Sequence, residues 1–396
     1  MTTRPTASAS SFTSIDSLCC RAGAGFADGQ PLVTPIVQST TFCREGVDSR
    51  AEHQYSRVSN PTVSALEDVL GALEGAPPAV CFATGLAAET ALLLALLKAG
   101  DHVVCGRAVY GGTTRLLQQV LGPLGIEATF VDSTSPAAVA GAVTSRTRVV
   151  FIETPANPTL EVTDVRAVAA IAHRAGARLV VDNTFLTPVL QQPLELGADL
   201  TVTSTTKFID GHSVAPGGAV VTRDAALAER IRFVRKSTGA IQTPQHAWLT
   251  LQGLKTLPLR LRAQSASATT LAHWLAAQAA VARVHYPSLG DPELAEAQHL
   301  GAHGAVLSFE LLGGLSAARQ VAGALRLCRL VEHVGSVETL VTHPASMTHA
   351  DLTVEARAAA GVRDGLLRLS VGLESIADIR ADLESAFATV TAEVAR

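Results

Sequence analysis

A chain of 396 residues is too long for one ordinary domain and long enough for two. Hydrophobic residues make up 47% and charged residues 17%, a balance that excludes disorder. The formal net charge of -4, with no Lys/Arg run and no aromatic-basic interleaving, gives no electrostatic case for nucleic acid.

In chain order, the first eleven residues are rich in Ser, Thr and Ala without an apolar core of signal-peptide length, and read as a disordered arm. Residues 1–60 as a whole carry Gly, Pro and Ser with little periodicity, as expected of an arm that packs on a partner subunit. From residue 79 onward short apolar runs alternate with helical patterns. Strands are expected at 79–82, 102–105, 128–131, 149–152, 178–181, 200–203 and 218–221, with helices at 86–98 and 165–175 among them. Continuous apolar strands spaced by helices predict an α/β fold over 61–250, a mostly parallel sheet covered on both faces. Residues 251–396 read as a smaller α+β domain, with a helix at 261–282, an alternating strand at 305–310 and a final helix at 376–390. No stretch of about 18 uncharged apolar residues occurs, so no membrane partner is expected. Cys19, Cys20, Cys43, Cys81, Cys105 and Cys328 show no CxxC pair and no metal spacing, and read as reduced core thiols of a cytoplasmic protein.

Lysine occurs only at 98, 207, 236 and 255. Lys98 and Lys255 read as helix-end residues, and Lys236 follows Arg235 on a basic, exposed helix. Lys207 differs, because it follows a buried strand in Ser204-Thr205-Thr206-Lys207, at the carboxyl end where α/β sheets bind ligands. The alternative is a neutral strand-to-loop lysine. Asp182 ends the apolar run Val180-Val181, where a carboxylate is costly to bury without a cation. A pyridinium nitrogen would be such a cation, and a helix-cap aspartate is the other reading. Strand-Asp followed by strand-Lys is the order of fold-type I pyridoxal-phosphate (PLP) enzymes. Phe82-Ala83-Thr84-Gly85-Leu86 reads as strand-turn-helix, a phosphate site at a helix N-terminus, to which Ser204 and Thr206 can add hydroxyls. Arg57 can add charge-assisted bonds, or be a surface turn arginine.

Tyr55-Ser56-Arg57, Asn60-Pro61-Thr62, Tyr110-Gly111-Gly112-Thr113, Glu153-Thr154-Pro155-Ala156-Asn157-Pro158, Asp182-Asn183-Thr184-Phe185, Ser204-Thr205-Thr206-Lys207, Gly253-Leu254-Lys255-Thr256, His343-Pro344-Ala345-Ser346 and Leu367-Arg368-Leu369-Ser370 stand in register along the chain. With these the sequence resembles the Cys/Met-metabolism family of PLP enzymes over about residues 15–390. The resemblance implies an aspartate-aminotransferase-like fold and pyridoxal 5'-phosphate as cofactor, carried by Lys207 as a Schiff base. It implies that Tyr55 and Arg57 reach the cofactor phosphate of a neighbouring subunit, so that the unit is a homodimer or homotetramer. Gly85, Leu86, Ser204 and Thr206 would hold the phosphate, Asp182 the ring nitrogen with Thr184 beside it, and Tyr110 would stack on the ring and move a proton. Arg368 would hold the substrate carboxylate, with Asn157 nearby.

Leu86, Phe208 and Val214 depart from the family pattern, and His333 stands where the family has Ser beside the catalytic lysine. The imidazole either alters the substrate or is a structural histidine packed on a neighbouring helix. Glu332, Arg115 and Gln54 resemble the cystathionine enzymes, whereas Glu355 and Arg357 resemble the methionine γ-lyase and sulfhydrylase branch. The expected activity is γ-replacement or γ-elimination on a homoserine-derived sulfur amino acid, as in cystathionine γ-synthase or cystathionine γ-lyase. The alternatives are a methionine γ-lyase or O-acylhomoserine sulfhydrylase, then an aminotransferase or a non-catalytic PLP-binding protein.

Overall fold

The computed structural model describes residues 14–25, 28–350, 357–358 and 360–394, the last four without side chains. The arm expected over the first eleven residues, and Glu355, lie outside the described residues.

Seven strands form the first sheet: β1 (Val80–Phe82), β2 (His102–Gly106), β3 (Glu127–Val131), β4 (Thr147–Glu153), β5 (Arg178–Asp182), β6 (Leu200–Thr203) and β7 (Gly218–Thr222). Their order is β1-β7-β6-β5-β4-β2-β3. All neighbours from β6 to β3 pair in parallel, and β7 runs antiparallel to both β6 and β1. Alternate side chains of these apolar strands leave on opposite faces, so one sheet feeds two cores. Val104, Val150, Ile152, Leu179 and Val181 join a core with the helices Pro61–Leu73 and Val165–Arg174. Val103, Cys105, Val149, Phe151 and Val180 join the other, under the helices Gly85–Leu96 and Ala225–Thr238. This is the mostly parallel, doubly covered sheet that the apolar runs predict.

A second sheet is built from β8 (Val281–His285), β9 (Val306–Leu311), β10 (Arg329–Leu330), β11 (Leu340–Thr342) and β12 (Leu366–Ser370), in the order β10-β11-β12-β9-β8. The helices Leu257–Ala276 and Ile376–Val394 pack Leu271, Leu275, Ile379 and Leu383 against it.

Four expectations need correction. The helix placed at 261–282 runs Leu257–Ala276, and Val281 and Ala282 belong to β8. Leu257 and Leu261 extend the buried stripe backwards, while the antiparallel pairing of β8 with β9 outweighs the helix propensity of the alanine-rich stretch. The helix carrying Lys236 is not simply exposed: Arg235 is buried, ion-paired to Glu67 and donating to the Cys81 carbonyl. Cys20 and Cys43 are exposed rather than core, while the other four thiols are buried and all six are free. The N-terminal segment also packs partly on its own chain, since Leu18 and Cys19 of the helix Ile15–Cys20 enter the first core.

Candidate active site

Parallel pairing brings the carboxyl ends of β4, β5 and β6 to one edge, with Glu153 paired to Asp182 and Asp182 to Val202. Ligands of α/β sheets bind at this edge. A cavity of about 470 Å³ opens here, large enough for an aromatic cofactor and a small substrate. Its wall includes Gly85, Leu86, Tyr110, Arg115, Asn157 and Asp182, and also Thr184, Ser204, Thr206, Lys207, Glu332 and Arg368.

The cavity floor is acidic. Asp182 is buried, and accepts the Thr184 backbone N–H at 2.8 Å. Burial pushes its carboxyl above the ordinary range, against the hydrogen bonds from Thr184. Two further buried carboxyls stand close by. Glu89 accepts the Thr113 hydroxyl at 2.8 Å, and Glu153 accepts the Tyr110 backbone N–H at 2.7 Å. Burial first, and then the charge of Asp182, raises both. Among the described residues Asp182 has no ion-pair partner, so a ligand cation with an N–H fits this end.

At another wall the helix Gly85–Leu96 begins, capped by Thr84 accepting from the Ala87 N–H at 3.0 Å. A Cβ on Gly85 would lie 2.9 Å from the Ser204 Cβ and 3.1 Å from its hydroxyl. Glycine is therefore what lets the helix start close against the Ser204 loop. Thr206 exchanges two hydrogen bonds with Gly217, at 3.0 and 3.1 Å, and Thr184 accepts the Ser204 N–H at 2.9 Å. First-turn N–H groups beside hydroxyl side chains fit a phosphate.

Lys207 is half-buried between these ends. Burial, and then the charge of Arg368, lower its amine to about 8. Arg368 is only 4% exposed. Its guanidinium donates to Asn157 Oδ1 at 2.8 Å, Thr342 Oγ1 at 3.0 Å and the His333 carbonyl at 3.3 Å. All three acceptors are neutral, and burial lowers the guanidinium to about 10. A desolvated cation with no ion-pair partner among the described residues fits a ligand carboxylate.

Tyr110 overhangs the cavity, its ring lying where a side chain on Gly112 would go. Gln54, Tyr55 and Arg57 do not line this cavity in the same chain. They are exposed, and Arg57 donates to the Lys236 carbonyl at 2.6 Å while covering the Tyr55 ring at 5.3 Å. His333 lies with Nδ1 3.2 Å from Lys207 Nζ. Sequence reasoning missed Glu89 and gave Glu153 no role. An uncharged helix face interrupted by one Glu, in Leu86-Ala87-Ala88-Glu89, was the available signal for the first.

One molecule satisfies these walls together if it carries a phosphate, a ring cation and a carbonyl for the lysine, as pyridoxal phosphate does. That makes the chain a PLP enzyme of fold type I. It belongs to the Cys/Met metabolism PLP-dependent enzyme family, whose pattern residues 18–388 match. It is 42% identical over 367 residues to an L-methionine gamma-lyase of Fusobacterium nucleatum, covering 89% of this chain and 92% of that one. It is also 42% identical over 359 residues to a cystathionine gamma-lyase of Bacillus subtilis, covering 90% and 94%. The crystal structure of a cystathionine gamma synthase from Xanthomonas oryzae superposes with a TM-score of 0.93 at 41% identity, over 96% of this chain and 99% of that one. Among the described residues no helix is long and apolar enough to cross a membrane.

Proposed function

We propose that this enzyme acts on a homoserine-derived amino acid with a charged tail, as a cystathionine γ-synthase or cystathionine γ-lyase. The observation that carries the reading is Arg368, a buried cation whose hydrogen-bond acceptors among the described residues are all neutral, in the same cavity as Lys207. It suits the α-carboxylate of an amino acid whose Cα then lies within reach of Nζ.

Bound pyridoxal phosphate supplies the electron sink for the electrons released at the substrate α-carbon. Asp182 holds the proton on the ring nitrogen, and Thr184 fixes the carboxylate's orientation. Gly85, Leu86, Ser204 and Thr206 bind the phosphate. Lys207, with its amine near 8, is balanced between accepting and delivering a proton at neutral pH. It takes the proton from Cα; loss of a second proton, from Cβ, then expels the substituent at Cγ, with Tyr110 as the acid or base of that step. Asn157 holds Arg368 in place. Arg115 and Glu332, both on the cavity wall, offer charges of either sign to a zwitterionic tail.

Tyr55 and Arg57, exposed and outside their own cavity, serve the cofactor phosphate of a neighbouring subunit, so the working unit is a homodimer or homotetramer, and Gln54 beside them meets the partner's substrate. Residues 1–60 form the arm, 61–250 the cofactor domain and 251–396 the smaller domain. In support, the first sheet ends at Thr222 and the second opens at Val281. Six free cysteines support a reducing, cytoplasmic setting.

A screen of O-acetylhomoserine, O-succinylhomoserine, cystathionine and methionine, with and without cysteine or sulfide, tests the reading. Cystathionine cleavage to cysteine and a four-carbon 2-oxo acid, or cystathionine formation from an acylhomoserine, is expected to be fastest. Preference for methionine moves the methionine γ-lyase reading ahead, and pyruvate release from cystathionine refutes γ-chemistry.

A further inference from the structure

His333 lines the cavity, and the proposed chemistry leaves it unused. It sits on a segment clamped to the lysine it faces. Val334 is buried in the first core, and Gly335 donates to the Ser370 hydroxyl at 2.9 Å. At Gly335, φ is +86°, and a Cβ would meet the Lys207 carbonyl carbon at 2.7 Å and its Cα at 3.1 Å. Glycine is thus required there for two reasons, and the backbones of residues 335 and 207 touch. The His333 carbonyl also accepts from Arg368 at 3.3 Å. With its main chain held from both sides, the imidazole presents Nδ1 to Lys207 Nζ at 3.2 Å.

We propose that His333 is a positioning residue for Lys207: its neutral imidazole accepts a hydrogen bond from the lysine amine at Nδ1 and keeps its own proton on Nε2. This rests on the reading of Lys207 as the reacting amine. The contact exists while Nζ is free and protonated, and it is lost when Nζ is committed to a covalent bond. His333 therefore favours the released lysine and aims it. A proton relay is the competing role, and magnitudes decide against it. Among the described residues, the charges that act on the imidazole are Lys207 and Arg368, both cationic, against the carboxylate of Glu338. Burial and those two cations lower the imidazole to about 4, against about 8 for Lys207. Moving the proton from Nζ to Nδ1 is then disfavoured, so it stays on the lysine. Among the described residues Nε2 is buried without a hydrogen-bond partner.

The test uses full-length protein freed of cofactor, mixed with pyridoxal 5'-phosphate at a series of pH values, and the rate of yellow-band formation. An acceptor that stabilises the ammonium raises the pH midpoint of this reaction. His333→Leu is expected to lower the midpoint by about one pH unit, the scale of one hydrogen bond to a charged group. His333→Asn, with an oxygen near the place of Nδ1, is expected to keep the wild-type midpoint. His333→Gln, whose amide reaches the place of Nε2 instead, is expected to follow the leucine variant and replaces it if that one fails to fold. An unmoved midpoint in the leucine and glutamine variants, or an equal shift in all three, overturns the proposal. Borohydride trapping and peptide mapping separate this from the underlying reading. Label at Lys98, Lys236 or Lys255 refutes Lys207 itself, whereas label at Lys207 with an unmoved midpoint refutes His333 alone.

Discussion

Replacing Arg368 with methionine separates binding from folding. In the protein without substrate the guanidinium is 4% exposed, and burial lowers it to about 10. A cation whose folded-state value is depressed costs stability at every pH below about 10, and the cost fades as pH rises from there towards the ordinary guanidinium value. The shift corresponds to a cost of about 3 kcal/mol at neutral pH. Methionine removes that cost and leaves the Asn157 amide oxygen, the Thr342 hydroxyl and the His333 carbonyl without their donor, at about 1 kcal/mol each. The two nearly cancel, so the urea midpoint of the cofactor-free protein should hardly move. Substrate sees a different balance. An α-carboxylate that enters and finds no cation loses about 3–5 kcal/mol. The kcat/KM for any amino-acid substrate should then fall about 10²–10⁴-fold. Binding of a decarboxylated amine analogue, followed by the change in cofactor absorbance, should be little affected. A loss below tenfold for the amino acid, or an equal loss for the analogue, refutes the carboxylate role.

Arg57→Ala and Lys207→Ala subunits, each inactive alone, should regain about a quarter of wild-type activity when mixed as dimers, because each hybrid holds one intact site. Subunit exchange without recovery refutes phosphate binding across the interface. Glu332→Ala should lower kcat/KM for cystathionine by about tenfold and leave methionine nearly unchanged; equal losses make the residue structural. Glu89, raised to about 8, is un-ionised in the fold over a range where the unfolded chain has lost its proton. Its penalty is absent below the ordinary carboxyl range and grows as pH rises towards about 8. Glu89→Gln should therefore flatten the fall of the cofactor-free protein's unfolding midpoint between pH 5 and 8, and an unchanged slope refutes the assignment.

The sequence by itself located the strands of the first sheet, each end falling within about two residues of the expected one. Apolar runs such as Val149-Val150-Phe151-Ile152 are local, and burial on two faces leaves them no other use. Asp182 and Lys207 were legible for the same reason, since an acid or an amine at the end of such a run has no cheap structural role. Helix limits were less legible, as alanine-rich residues 275–280 would extend a helix until β8 finds its partner. Pairings between distant segments were decided by the tertiary structure alone. The register that sets Glu153 beside Asp182, the position of Glu89 beside both, and the antiparallel course of β7 depend on strand neighbours that no local pattern encodes. His333 and Lys207 lie 126 residues apart in the chain, and their contact arises because Gly335 lets two backbones touch. A residue type states what chemistry a side chain can do; which partner it does it with is set by packing, through contacts whose loop-closure cost only the whole fold repays.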